Sequence, residues 1–139
     1  MMNSKLLLKC FPVVLLTIVP VVGLVGLARS EVVVQQPVNQ GRRINQLIQQ
    51  LKSEDAEIRS SAAFALGRMS GSAKSAIPSL IPLLKDSDAK VRWFAVYALG
   101  RMGESARSAI PNLIPLLKDS DTYVRSSAAE ALRKLGYKP

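Results

Sequence analysis

The chain has 139 residues and a formal charge of +9, from 19 Lys and Arg against 10 Asp and Glu. With 48% hydrophobic residues and only 8 Gly and 8 Pro, it has one domain's length and enough apolar content for a packed core, which excludes a collagenous or low-complexity chain. It contains no His and a single Cys, Cys10, so imidazole acid–base chemistry, His-ligated metals, Cys zinc clusters and disulfide frameworks all fall away.

Residues 1–30 read as an address. Lys5 and Lys9 precede an almost uncharged stretch from Cys10 to Ala28, closed by Ala28-Arg29-Ser30 before Glu31. A basic start, an apolar middle and small residues at the end are the layout of a secretory signal, with cleavage expected after Ser30. The competing reading is a retained anchor, since about 18 apolar residues just span the hydrocarbon layer; Pro12, Pro20, Gly23 and Gly26 weaken such a helix. Cys10 lies before the apolar stretch and behind Lys9, which is not the setting of a lipid acceptor. Either reading exports the body to a periplasmic or extracellular space, and membrane contact is expected only through 1–30 if it stays attached. Cleavage would remove Lys5, Lys9 and Arg29 and no acid, leaving +6 and no Cys, which suits an oxidising compartment. Residues 31–43 read as a polar linker.

From residue 44 onward the sequence echoes itself every 33 residues. Asp55, Asp88 and Asp121 keep this spacing, as do Ile58, Val91 and Val124, then Arg59, Arg92 and Arg125, and 23 of 33 residues are identical between 55–87 and 88–120. Such a period marks stacked supersecondary units. In one unit Val91, Ala95, Ala98, Leu99 and Met102 share one helical face. Asp88 or Ser87 caps its start, and Gly103, like the slightly offset Gly71, ends it in a left-handed turn. Ile110, Leu113, Ile114 and Leu117 mark a second helix with Pro111 in its first turn. Pro82 and Pro115 fall one turn inside the second helices, where a missing backbone donor predicts a bend.

The expected helices are 44–52, 55–70, 77–85, 88–102, 110–118 and 121–135. Alanines 62, 65, 95, 98, 128 and 131 should let them approach closely, and only stacking of units can cover both apolar sides of a helix pair. The fold class is therefore all-α: an α-solenoid of about three helical hairpins, a superhelical stack of helix pairs, after an N-terminal signal or anchor helix. No polar cap is evident at either end of the stack, so self-association through its ends is expected.

The segments IRSSAAFALGRM, AIPSLIPLLKDSDAKVRWFAVYALGRMG and AIPNLIPLLKDSDTYVRSSAAEALRKLG resemble the HEAT-like repeats typified by phycobilisome-lyase subunits, which would make 44–139 one repeat domain. The resemblance implies scaffolds, chromophore lyase subunits or a di-iron deoxyhypusine hydroxylase. The last needs His ligands that this chain lacks. A phycobilin lyase-like subunit acting as a chromophore-attachment or chaperone factor is the alternative; such subunits are cytoplasmic and longer. A non-catalytic interaction module without cofactor or metal is the primary expectation.

Asp55/Arg59, Asp88/Arg92 and Asp121/Arg125 stand four apart on neighbouring turns, a structural ladder that favours the helix start and that, by resemblance, ties adjacent loops together. Lys52, Lys85 and Lys118 end the second helices, and Arg68, Arg101 and Lys134 the first, where they suit the negative end of the helix dipole and keep the chain soluble; the second reading is that stacking aligns them into ribbons for an acidic protein, polymer or membrane surface. Nucleic acid is disfavoured by the export signal and by Asp86, Asp88, Asp119 and Asp121. Resemblance puts the second helices on a concave groove, with Gln49, Lys52, Ser79, Pro82, Lys85, Asn112, Pro115 and Lys118 lining it. Trp93-Phe94 and Tyr97 break the repeat, since their counterparts are Ser60-Ser61 with Phe64 and Ser126-Ser127 with Glu130. At 100° per residue Trp93 points away from the buried face with Tyr97 beside it. Two readings follow: an aromatic anchor for a partner, or a ring laid against its own helix or a neighbouring side chain.

Overall fold

The computed structural model describes residues 39–139. Arg42–Pro139 is a compact unit and carries the repeats. The signal or anchor, its cleavage site, Cys10 and the linker up to residue 38 lie outside the described residues.

Helix α1 covers 39–50, starting earlier than the apolar pattern indicates because Asn39, Gln40, Arg42 and Arg43 are as content on an exposed helix as in a linker. Three long helices follow, α2 (Ala56–Met69), α4 (Ala89–Met102) and α6 (Thr122–Lys134). Between them sit two short ones, α3 (Ile77–Leu80) and α5 (Ile110–Leu113). Among the described residues there is no strand. Asp55, Asp88 and Asp121 each cap a long helix, their carboxylates accepting from the amides of Glu57, of Val91, and of Tyr123 with Val124. This satisfies orphan donors of the first turn.

The second helices carry two prolines each. Pro78 and Pro111 sit in the first turn of α3 and α5 as expected. At Pro82 and Pro115 the chain tightens instead of merely bending: α3 runs into a 3₁₀ stretch, Ile81–Lys85, and α5 into another, Ile114–Lys118. A ring without an N–H removes one α-helical bond, and the i→i+3 pattern restores a partner for its neighbours. The left-handed turn expected after α4 is at Gly103, φ 57°; after α2 the positive φ falls on Ser70, at 20°, and not on Gly71.

α2 packs on α4 and α4 on α6, while the 3₁₀ stretches tuck beneath α4 and α6. The core is a continuous layer of Leu66, Leu80, Leu84, Val91, Leu99, Leu113, Val124 and Leu132, with Ala62, Ala95, Ala98, Ala128 and Ala131 between them. Close approach depends on two helical glycines. A Cβ at Gly67 would lie 2.9 Å from the Tyr97 ring and 3.0 Å from Ala98 Cα, and one at Gly100 would lie 3.0 Å from Ala131 Cβ.

The units are bolted together by arginine. Arg59 donates through Nε and Nη2 to the two oxygens of Asp86, at 2.8 and 2.9 Å, and through Nη1 to the carbonyls of Ser53 and Glu54, both at 2.8 Å. Arg92 repeats the arrangement with Asp119, 2.8 Å twice, and the carbonyls of Asp86 and Ser87. The i−4 aspartates of the expected ladder therefore have another job: Asp55, Asp88 and Asp121 cap, and the carboxylates that Arg59 and Arg92 grip are Asp86 and Asp119, in the turn that opens the following long helix. The guanidinium points off its own helix toward the next loop, out of reach of a carboxylate folded back on the cap. Asp86 and Asp119 also accept from the amides of Asp88 and Asp121, at 3.0 and 2.9 Å, so each fixes a turn and an interface together.

Both ends are more polar than the repeat pattern suggests. Most of the exposed surface of α1 is Arg, Asn and Gln. After α6 the Tyr137 amide donates to Leu132 and the Gly136 amide to Arg133, a Schellman close with Gly136 at φ 79° and Tyr137 packed on the core.

Burial pushes the Asp86 carboxyl up, but the Arg59 fork, the Asp88 amide and the Arg92 charge outweigh it and hold it below the ordinary value of 3.8. Asp119 is held low mainly by Arg92, against burial. Depressed carboxylates stabilise the fold above the unfolded value and lose that contribution as pH falls through the folded one. Asp119→Asn should cost about 2–3 kcal/mol at pH 7, because it leaves a half-buried guanidinium without its counter-charge. In urea melts the gap to the parent chain should narrow as pH drops below about 4. Gly67→Ala should lower stability by about 1–3 kcal/mol despite its better helix propensity, since backbone stands where the methyl must go; the urea midpoint measures it.

Candidate functional site

Two surfaces hold the residues that the sequence singles out. On the short-helix side, Gln49, Lys52, Pro82, Lys85, Pro115 and Lys118 are exposed, and Ser79 and Asn112 are half-buried. The repeat places these side chains at equivalent stations, and the segment Ile81–Lys85 lies against α5. Neighbouring helices in such packing stand about 8–10 Å apart, a spacing that extended peptide can follow.

The charge balance on this side is uneven for a structural reason. Among the described residues, Asp86 and Asp119 are held by arginines. Glu57 pairs with Lys90, Glu104 with Arg107, and Glu130 with Lys134 at 2.6 Å. Asp55, Asp88 and Asp121 are caps, which leaves Glu54 alone uncommitted. Lys52, Lys85 and Lys118 take part in none of these ion pairs. Asp86 and Asp119 are sequestered in the fold, three glutamates are paired with cations at the surface, and the lysine row enters none of these pairs.

On the long-helix side lies an aromatic ribbon across all three helices. Tyr97 stacks on Phe64 at 5.7 Å, Phe64 tilts against Phe94 at 5.2 Å, Phe94 stacks on Trp93 at 4.6 Å, and Trp93 tilts against Tyr123 at 5.7 Å. Phe64 is 39% and Tyr123 69% exposed. Trp93 is not the free anchor that its helical angle suggests. It is half-buried, and its Nε1 donates to Ser127 Oγ on α6 at 2.9 Å. A helix in the middle of a stack has three packed sides, so the direction away from the core of its own hairpin is occupied by the next unit. The ring, with its indole N–H satisfied, is an inter-unit strut.

Beside the ribbon, α4 and α6 leave a cleft of about 90 Å³ with Gly100 and Ala131 at its floor and Tyr97, Arg101, Glu130 and Lys134 around it. Small-molecule sites run to about 300–1,000 Å³; this cleft has the size of a side chain. Among the described residues no group of three or more Cys, Asp or Glu stands ready for a metal ion. Sequence reasoning missed Asp86 and Asp119 as bridging residues, Gly67 and Gly100 as the points of closest approach, and Ser127 as the partner of Trp93. The signal was present for the first four, which recur at 33 residues; Ser127 left none.

The sequence family described as HEAT repeats matches residues 44–133. No curated protein matches the chain. Among solved structures the chain is similar to three crystal structures of engineered proteins, each 27% identical. One is covered over 69% of this chain and 46% of its own length, with a TM-score of 0.61. The others are covered over 66% of this chain and over 27% and 45% of theirs, with TM-scores of 0.59 and 0.56. The chain thus spans less than half of the length of each.

Trp93 is the only tryptophan, and its emission therefore reports the α4–α6 contact. Ser127→Ala should shift that emission and cost about 1 kcal/mol, and Trp93→Ala about 3 kcal/mol, as expected for a large ring removed from a packed interface. Fluorescence-detected denaturation checks the first, circular dichroism the second.

Proposed function

Since the chain belongs to the HEAT-repeat family, whose solenoids serve as protein-interaction scaffolds, we propose that it is a non-catalytic binding module, exported by residues 1–30, that holds an acidic protein or peptide along its short-helix face. The observation that carries this reading is the allocation of charge. With the acids committed to caps, turns and ion pairs, Lys52, Lys85 and Lys118 present a periodic positive row. Pro82 and Pro115 beside it give a surface with no backbone N–H at those stations, and Asn112 adds a side-chain donor and acceptor. Electrostatic complementarity of this kind sets the rate and specificity of encounter more than raw affinity.

The long-helix ribbon plays the lesser part. Trp93 and Tyr97 are engaged between units, so the portion left for a partner is the exposed rim at Phe64 and Tyr123. Partner contact there is secondary to the lysine row, and nucleic acid remains a poor fit because the arginines of the interface are already neutralised by aspartate.

Affinity capture from the exported compartment tests the proposal. The parent chain should retain acidic partners at low salt and release them as salt rises, and Lys52→Gln, Lys85→Gln and Lys118→Gln combined should lose most of the captured protein while leaving the thermal midpoint within a few degrees. Equal capture by the triple variant would remove the lysine row from the function.

A further inference from the structure

The third unit differs from the first two at the positions where a following unit would lean on it. Gly67 and Gly100, which admit the next helix, correspond to Arg133. Phe64 and Tyr97 correspond to Glu130, and Trp93 to Ser126. In α6 all of these are exposed, and Glu130 is tied to Lys134 across the same surface. An arginine at the point of closest approach and a charged pair beside it keep another helix from seating there.

One element of the interface is nevertheless retained. Arg125 holds the posture of Arg59 and Arg92: its Nη1 donates to the carbonyls of Asp119 and Ser120 at 2.7 and 3.0 Å. One hydrogen of Nη2 goes to Thr122 Oγ1 at 2.9 Å, a hydroxyl that replaces Ala56 and Ala89 of the earlier units. The Nε and Nη2 nitrogens form the edge that takes a carboxylate in both internal copies. On Arg125 that edge faces no carboxylate among the described residues.

We propose that the α6 end of the stack receives an acidic turn of a protein partner, with the Arg125 guanidinium as its anchor. The proposal rests on the reading of the chain as a protein-binding module. The ligand chemistry comes from the internal copies, in which the group on the fork is the aspartate of an Asp-Ser-Asp turn, bonded at once to arginine and to the amide two residues on. A bidentate guanidinium–carboxylate pair is strong and directional for its size. It needs approach only at the level of the loop, and so tolerates the polar surface that turns a helix away. A second copy of this chain does not supply the ligand, since Ser53 stands where Asp86 and Asp119 stand in the later units. The surplus cations, with Arg133 and Lys138 nearby in sequence, favour the same sign of partner.

The test is a titration of the ¹⁵N-arginine-labelled full chain with the blocked tripeptide acetyl-Asp-Ser-Asp-amide, a copy of residues 119–121, against an Asn-Ser-Asn control. The arginine Nε–H resonances are read by nuclear magnetic resonance. Arg59 and Arg92 mark the frequency of an occupied fork. Arg125 should move toward them and saturate with the aspartyl peptide, stay in place with the asparaginyl one, and move alone, with Arg101 and Arg133 unshifted. A fixed Arg125, an equal response to both peptides, or a common drift of all exposed arginines would overturn the proposal. So would an Arg125 shift that depends on protein concentration without peptide, which would make a second copy the occupant. These outcomes are independent of capture by the lysine row, so the anchor and the binding module fail separately.

Discussion

One guanidinium in each of the first two units, reaching 27 residues ahead to a carboxylate, is the interaction on which this stack depends. Each arginine closes its own helix start through two carbonyls and locks the next unit through a bidentate carboxylate, so local structure and tertiary order are enforced by one side chain. The hydrophobic core supplies most of the free energy, but leucine and alanine contacts are non-directional and would tolerate sliding of one helix pair along another. The fork does not tolerate it, because both of its bonds are 2.8–2.9 Å long and geometry is the source of their strength.

The arginine clamp works only because the helices can come close, and that is a matter of size. Glycine at 67 and 100 and alanine at 98 and 131 remove the atoms that would hold α2, α4 and α6 apart. Trp93, Phe94 and Tyr97 then fill the wedge that opens beside the close point, with Ser127 giving the indole its acceptor. Small residues at one station and large ones at the next are two halves of a single packing solution.

Much of this was legible in the sequence. The 33-residue period, the capping aspartates and the first-turn prolines follow from spacing and from backbone chemistry that acts within a few residues, and the long helices lie within a residue or two of where periodicity places them. Pairings between units were not legible in the same way. A helical wheel assigns Arg59 to the aspartate four residues before it, because it knows only one helix; the true partner, Asp86, belongs to a different turn. The same blindness places Trp93 outside, when a neighbouring helix supplies a third packed side. At Pro82 and Pro115 the sequence foretells the disturbance but not its form, since whether a chain bends or tightens is decided by what lies beneath it.

Duplicated modules as alike as these face a problem of order: while the polypeptide collapses, a unit can dock on the wrong sibling almost as well as on the right one. The single indole answers it. Were α2 to skip its neighbour and settle directly on α6, Trp93 would be stranded without the hydroxyl of Ser127 and Gly67 would meet Glu130 where it expects Tyr97. A departure of the pattern from its own consensus at the α4–α6 contact thus favours the true succession of modules in a way that identical copies could not.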